Sequence, residues 1–146
     1  MFKRESGFVI LENEVVDYQI GTAGSVEFDF FKVWERWKQT KPSSMIMFHT
    51  HPTGFTNASS TDYNMLSGWS LAFPIKIYFG VWAVDSFYIQ WYLGYKNNII
   101  HLGKELRKYK QFSCHLMTES SNDTILDPST FEDFEDDFSN ITLDMS

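Results

Sequence analysis

The chain has 146 residues, 43% of them hydrophobic and 18% aromatic, enough for one domain with a buried core and incompatible with a wholly disordered protein. Its net charge of -7 is an uneven average: from Leu116 onward there are nine Asp and Glu and no Lys or Arg, whereas the 115 residues before it carry twelve basic and ten acidic side chains, hence about +2. The lone cysteine, Cys114, excludes an internal disulfide and a thiolate metal cage, and no apolar run approaches the ~20 residues of a membrane span.

Met1 to Glu5 carry charge with no apolar signal region of sufficient length behind them, so the expectation is a soluble protein of the reducing cytoplasm that is not exported. Gly7 to Leu11 is a short apolar run rich in β-formers, a buried strand. Glu12-Asn13-Glu14 suits a hairpin turn and Val15 to Ile20 a returning strand. After the loop glycines Gly21 and Gly24, Val26 to Phe28 reads as a short edge strand.

Asp29 opens the clearest helix. Phe30, Val33, Trp34 and Trp37 fall at i, i+3, i+4 and i+7, which is one helical face, and Pro42 stops the run. Trp34 and Trp37 read as core. Ser44 to Phe48 is then a buried strand running straight into His49. Residues 52–60 are polar, and Ser59, Ser60 and Thr61 can each cap a helix that extends to about Ala72, before Pro74. Ile75 to Val84 and Phe87 to Leu93 read as two more strands. A turn at Asn97-Asn98 leads to a short strand, Ile99 to Leu102, and Lys104 to Met117 is read as helix. The sum is an α/β fold, a mixed β-sheet flanked by two main helices. The expected division is a folded domain over residues 1–117 and an acidic, flexible tail over 118–146.

The chemistry concentrates between His49 and Asp62. Residues two apart on an extended chain point the same way, so His49 and His51 can reach one ion. Pro52 holds His51 extended. Asp62 falls in the first turn of the following helix, where a carboxylate complements the helix dipole. Two imidazoles and a carboxylate suit Zn²⁺ with the fourth position left for water, which is the pattern of a catalytic rather than a structural site. Such a site needs an oxyanion donor and a base. Ser59, three residues before Asp62 at the helix mouth, is placed to be the donor, although Ser59 or Ser60 could simply cap the helix. His101 and His115 have no partner at ligand spacing and read as surface or packing residues, and Cys114 as a small buried side chain.

His49, His51, Ser59 and Asp62, with Pro52 after the second histidine, reproduce the spacing His-x-His, seven residues, Ser, two residues, Asp. This resembles the JAB/JAMM (MPN+) zinc metalloproteases, which include deubiquitinating enzymes, and the resemblance spans about residues 5–95. It implies the MPN/JAB1, cytidine-deaminase-like architecture and zinc-dependent hydrolysis of a peptide or isopeptide bond. It implies a protein substrate, such as the C-terminal tail of a ubiquitin-like protein. It also implies an upstream glutamate as general base, just before a glycine that opens an apolar run. Glu5-Ser6-Gly7 matches that description, with Glu27 and Glu12 as runners-up.

The chain departs from the family pattern in several ways. Four residues precede Glu5, the Glu5–Gly7 spacing is one residue shorter than the commonest form, and Glu12 stands where a glycine often follows the first apolar run. The long insertions after Asp62 that help eukaryotic relatives grip ubiquitin are missing, which suggests a minimal bacterial or viral version.

Two other functions compete. One is a non-catalytic scaffold of the same fold, which would usually lack the ligands. The other is a DNA-processing role like that of RadC-type proteins, which carry Asn where this chain has Thr50. The near-neutral body and acidic tail offer no phosphate-tracking surface, so no nucleic-acid partner is expected. A zinc nucleobase deaminase is excluded because its paired cysteine ligands cannot exist here. In the tail, Phe131, Phe134 and Phe138 recur at i, i+3 and i+7 among acidic residues, a pattern that could dock in a basic groove on a protein partner.

Overall fold

The computed structural model describes residues 4–51, 57–83 and 89–105. The elements run β1 (Ser6–Leu11), β2 (Glu14–Ile20), α1 (Phe30–Thr40), β3 (Ser44–His51), α2 (Ser60–Ala72), β4 (Lys76–Ala83), β5 (Ile89–Tyr95) and β6 (Asn98–Glu105). The expected tail and most of the expected helix over Lys104–Met117 lie outside the described residues. Lys104 and Glu105 themselves continue β6 rather than starting a helix.

The six strands form one mixed sheet in the order β2-β1-β3-β4-β5-β6. Only β3 and β4 are parallel, because α2 carries the chain back across the sheet between them. The other neighbours are antiparallel. Two of these junctions are two-residue hairpins. Glu12 and Asn13 in one, and Lys96 and Asn97 in the other, take positive φ, the twist that matches flanking strands. The second turn therefore sits one residue earlier than Asn97-Asn98.

Both faces of the sheet are buried. On one face Val9, Leu11, Met45, Met47, Ile77, Phe79 and Val81 pack with Val33 and Trp37 of α1 and Leu66 and Trp69 of α2. On the other, Phe8, Ile10, Ile46, Phe48, Trp82 and Trp91 form a second cluster. Burial on both faces explains why β1 and β3 read as unbroken apolar runs instead of alternating. Where β4 crosses Phe48, Gly80 carries no side chain; a Cβ there would lie 2.6 Å from the Trp91 ring.

Helix α1 starts where Asp29 accepts a hydrogen bond from the Lys32 N–H, and it ends at Lys41 in a left-handed conformation. Phe30, Trp34, Trp37 and Trp69 surround the fully buried Phe73, with ring centroids 5.2–5.7 Å from it. The expected edge strand at Val26–Phe28 is instead a loop. On either side of it the Thr22 hydroxyl accepts from the backbone N–H groups of Gly24 and Ser25, and buried Asp17 accepts from the Asp29 N–H, so side chains hold both ends of the loop.

Phe73→Ala empties the centre of the aromatic cluster that joins the two helices. Urea unfolding is expected to show a loss of roughly 3–5 kcal/mol; a loss below 1 kcal/mol would mean the cluster does not hold α1 and α2 together.

Candidate metal centre

The site is assembled by strand register. Gly7 on β1 lies opposite His49 on β3, and Val9 opposite Met47. Residues opposite one another in an antiparallel pair point to the same face. The odd-numbered side chains of both strands therefore share the helix-covered face, and Glu5, two residues before Gly7, joins it. The close approach depends on Gly7: a Cβ there would lie 2.5 Å from the Phe48 carbonyl oxygen, 2.7 Å from the Phe28 ring and 3.0 Å from the His49 Cβ. No side chain fits that space.

Glu5 is held from both sides. Its N–H donates to the Thr22 carbonyl at 2.6 Å, and its own carbonyl accepts from the Gly21 N–H at 2.8 Å. On the far side of β3, the buried Thr50 hydroxyl accepts from the Ser6 N–H at 3.1 Å. The residue between the two histidines thus ties down the residue after Glu5.

Asp62 arrives from the helix. Ser59 is the N-cap of α2, and its side chain accepts from the Asp62 N–H at 3.1 Å while the Ser59 N–H donates to Asp62 Oδ2 at 2.9 Å. This reciprocal box fixes the carboxylate at the helix mouth. Asp62 Oδ1 is 3.2 Å from His49 Nε2, and Asp62 Oδ2 is 3.2 Å from His51 Nε2. The two imidazole Nε2 atoms are 2.9 Å apart. Phe79 stacks on His49 with centroids 4.8 Å apart and fixes the ring plane.

Glu5, His49 and His51 bring one ligand atom each to within 4.8 Å of one another, and all three are buried, as is Asp62. Glu5 Oε1 stands 3.9 Å from His49 Nε2, close but not bonded. Of the two runner-up glutamates, Glu12 bonds Thr40 at the opposite end of β1, and Glu27 is exposed on the loop before α1. Ser59 is exposed at the mouth, where its lone pair serves the cap and its O–H remains able to donate. His101 is not part of the cluster; it bonds Gln90 Oε1 and packs on Tyr92.

Burial pushes the Glu5 carboxyl from 4.5 up to about 7, against the lowering field of His51 and with a smaller push from Asp62. His49 is pulled below the usual histidine range by full burial, which outweighs its bond to Asp62. Burial also pushes Asp62 up, but hydrogen bonds from His49 and His51 prevail and hold it ionised well below the carboxylate range.

This donor set fits a cation. A histidine kept neutral by burial, a second imidazole 2.9 Å away and an ionised carboxylate crowd lone pairs into one buried spot. Separations of 2.9–3.2 Å are less than twice a zinc–ligand bond of roughly 2.0–2.2 Å, so one ion can touch all three residues. Sequence reasoning did not find Thr50 as a support of this cluster. Thr50 carried a readable signal, because its position between the histidines places it on the opposite face.

No family model matches the chain, and no curated protein matches it. Among the described residues no helix is long and apolar enough to cross a membrane.

In chelator-treated protein the raised Glu5 carboxyl has a definite sign. Its neutral form favours the folded state fully below pH 4.5, and that contribution is lost as the pH rises through about 7. Glu5→Gln removes the titration. Its stability should match wild type near pH 4 and exceed it at pH 8 by roughly 1–2 kcal/mol in urea unfolding. An equal difference at both pH values would show that Glu5 is not buried as described.

Proposed function

We propose that this chain is a zinc-dependent hydrolase of peptide or isopeptide bonds, a minimal relative of the JAB/JAMM metalloproteases. The observation that carries the reading is the convergence of Glu5, His49, His51 and Asp62, from three separate segments, into one buried cluster. His49, His51 and Asp62 are the residues that would hold the metal. Zn²⁺ bound there would supply Lewis acidity, polarising a carbonyl and making water acidic near neutral pH.

The chain's own groups do the rest. Glu5 sits beside the ligands without bonding to them, at 3.9 Å from His49 Nε2, which suits a base that receives a proton at Oε1 and returns it to the leaving amine. Its buried, strand-clamped position fixes where that proton goes. Ser59 directs its O–H toward charge developing on the scissile carbonyl oxygen, while its backbone N–H holds Asp62. Tight burial of the cluster keeps its electrostatics strong. The substrate of this reading is an extended protein tail joined through an amide, with a ubiquitin-like C-terminus the leading case. A scaffold with no chemistry would have no use for a base 3.9 Å from an imidazole pair.

The test is metal analysis of the purified protein alongside cleavage of a panel of ubiquitin-like fusions. Wild type is expected to carry about one zinc per chain and to cleave at least one fusion. His49→Ala should lose the metal, whereas Glu5→Gln should keep it and lose roughly 10²–10⁴-fold in turnover. A wild-type protein that neither carries nor takes up zinc would refute the metal reading. Near-normal turnover by Glu5→Gln would refute the assignment of the base.

A further inference from the structure

The start of α2 has an anchor outside the cluster. Tyr92, on β5 and 3% exposed, accepts a hydrogen bond at its hydroxyl oxygen from the Ala58 N–H at 2.9 Å. Ala58 immediately precedes Ser59, whose N–H donates to Asp62 Oδ2, the same oxygen that meets His51 Nε2. Two consecutive backbone N–H groups therefore link the sheet to the carboxylate, one through Tyr92 and the next directly.

The Tyr92 oxygen is itself fixed in place because its ring is gripped by neighbours on both adjacent strands and on the helix. Phe79, its partner in register on β4, lies 6.4 Å away and also stacks on His49. His101, its partner on β6, packs against it at 5.0 Å, and Tyr63 of α2 meets it edge-on at 5.7 Å. The rings of His49, Phe79, Tyr92 and His101 thus form a row across β3, β4, β5 and β6 on the site face.

We infer that Tyr92 is a positioning residue that holds the mouth of α2 on the sheet, so that Asp62 meets both imidazoles. This rests on the reading of His49, His51 and Asp62 as metal ligands. Loss of the hydroxyl leaves the Ala58 N–H without this acceptor and frees the N-cap to shift, and Asp62 moves with it. Partners of this kind around a metal ligand are commonly worth about 10–100-fold in affinity.

The experiment compares wild type with Tyr92→Phe, which keeps the ring and its packing. Zinc affinity is measured by competition with a chromogenic chelator, and the site geometry by the visible absorption spectrum of the Co²⁺-loaded protein. Tyr92→Phe is expected to bind zinc about 10-fold or more weakly and to show a changed Co²⁺ spectrum, with a urea midpoint close to wild type. In cleavage assays at saturating zinc, kcat falls while KM stays near wild type. Unchanged zinc affinity together with an unchanged Co²⁺ spectrum would overturn the role of Tyr92 while leaving the ligands in place. A wild-type protein that binds neither zinc nor Co²⁺ would instead overturn the metal reading and this inference with it.

Discussion

The close approach of β1 to β3 at Gly7 is the constraint on which the site depends. The two strands meet with Gly7 opposite His49, and the space a side chain would need is already taken by the Phe48 carbonyl, the Phe28 ring and the His49 Cβ. That pairing sets the register, and register decides which side chains share a face. A slip of one residue would turn Glu5 away from the histidines and toward the Phe8 and Phe48 side of the sheet. Thr50 and the hydrogen bonds of Glu5 to Gly21 and Thr22 reinforce the same alignment from the outside.

Around that seam the structure buries ionisable side chains at a cost in stability. A buried glutamate beside a buried aspartate is unfavourable, and burial drives the Glu5 carboxyl toward neutrality while hydrogen bonds from two histidines keep Asp62 charged. Two carboxylates that approach the same imidazole, that of His49, are thus pushed to opposite protonation behaviour by different surroundings. The cost is carried by the core on the same face, where the Phe30, Trp34, Trp37, Trp69 and Phe73 cluster locks the helices to the sheet.

The second support is the helix mouth. Ser59 serves as the N-cap and Asp62 closes the capping box, so one short motif both begins α2 and presents a carboxylate to the histidines. Asp62 serves both neighbours because a carboxylate has several lone pairs: Oδ2 can take the Ser59 N–H and still meet His51. The serine in the pattern is accounted for structurally by the cap, and it stays exposed at the helix mouth.

Most of the fold was readable along the chain because its signals are local. Apolar runs bounded by turn residues marked the strands, a period near 3.6 marked α1, and Asp29 and Ser59 marked where helices begin. His49 and His51 could be paired on one face from the two-residue repeat alone, and Asp62 could be set in a helical first turn. Val26–Phe28 is a loop despite its β-forming residues: Thr22 and Asp17 side chains hold the backbone on either side of it, at Gly24, Ser25 and Asp29, contacts that local propensity does not report. Nothing local could bring Glu5 to the histidines: the two segments are more than forty residues apart, and only strand pairing, with Gly7 at the crossing, unites them. Tyr92 was invisible for the same reason. Its hydroxyl meets the N–H of Ala58, thirty-four residues earlier, and such a contact exists only once β5 lies beside β4 under the start of α2. Sequence periodicity determines which way a side chain points on its own element; register and packing between distant elements determine what it meets.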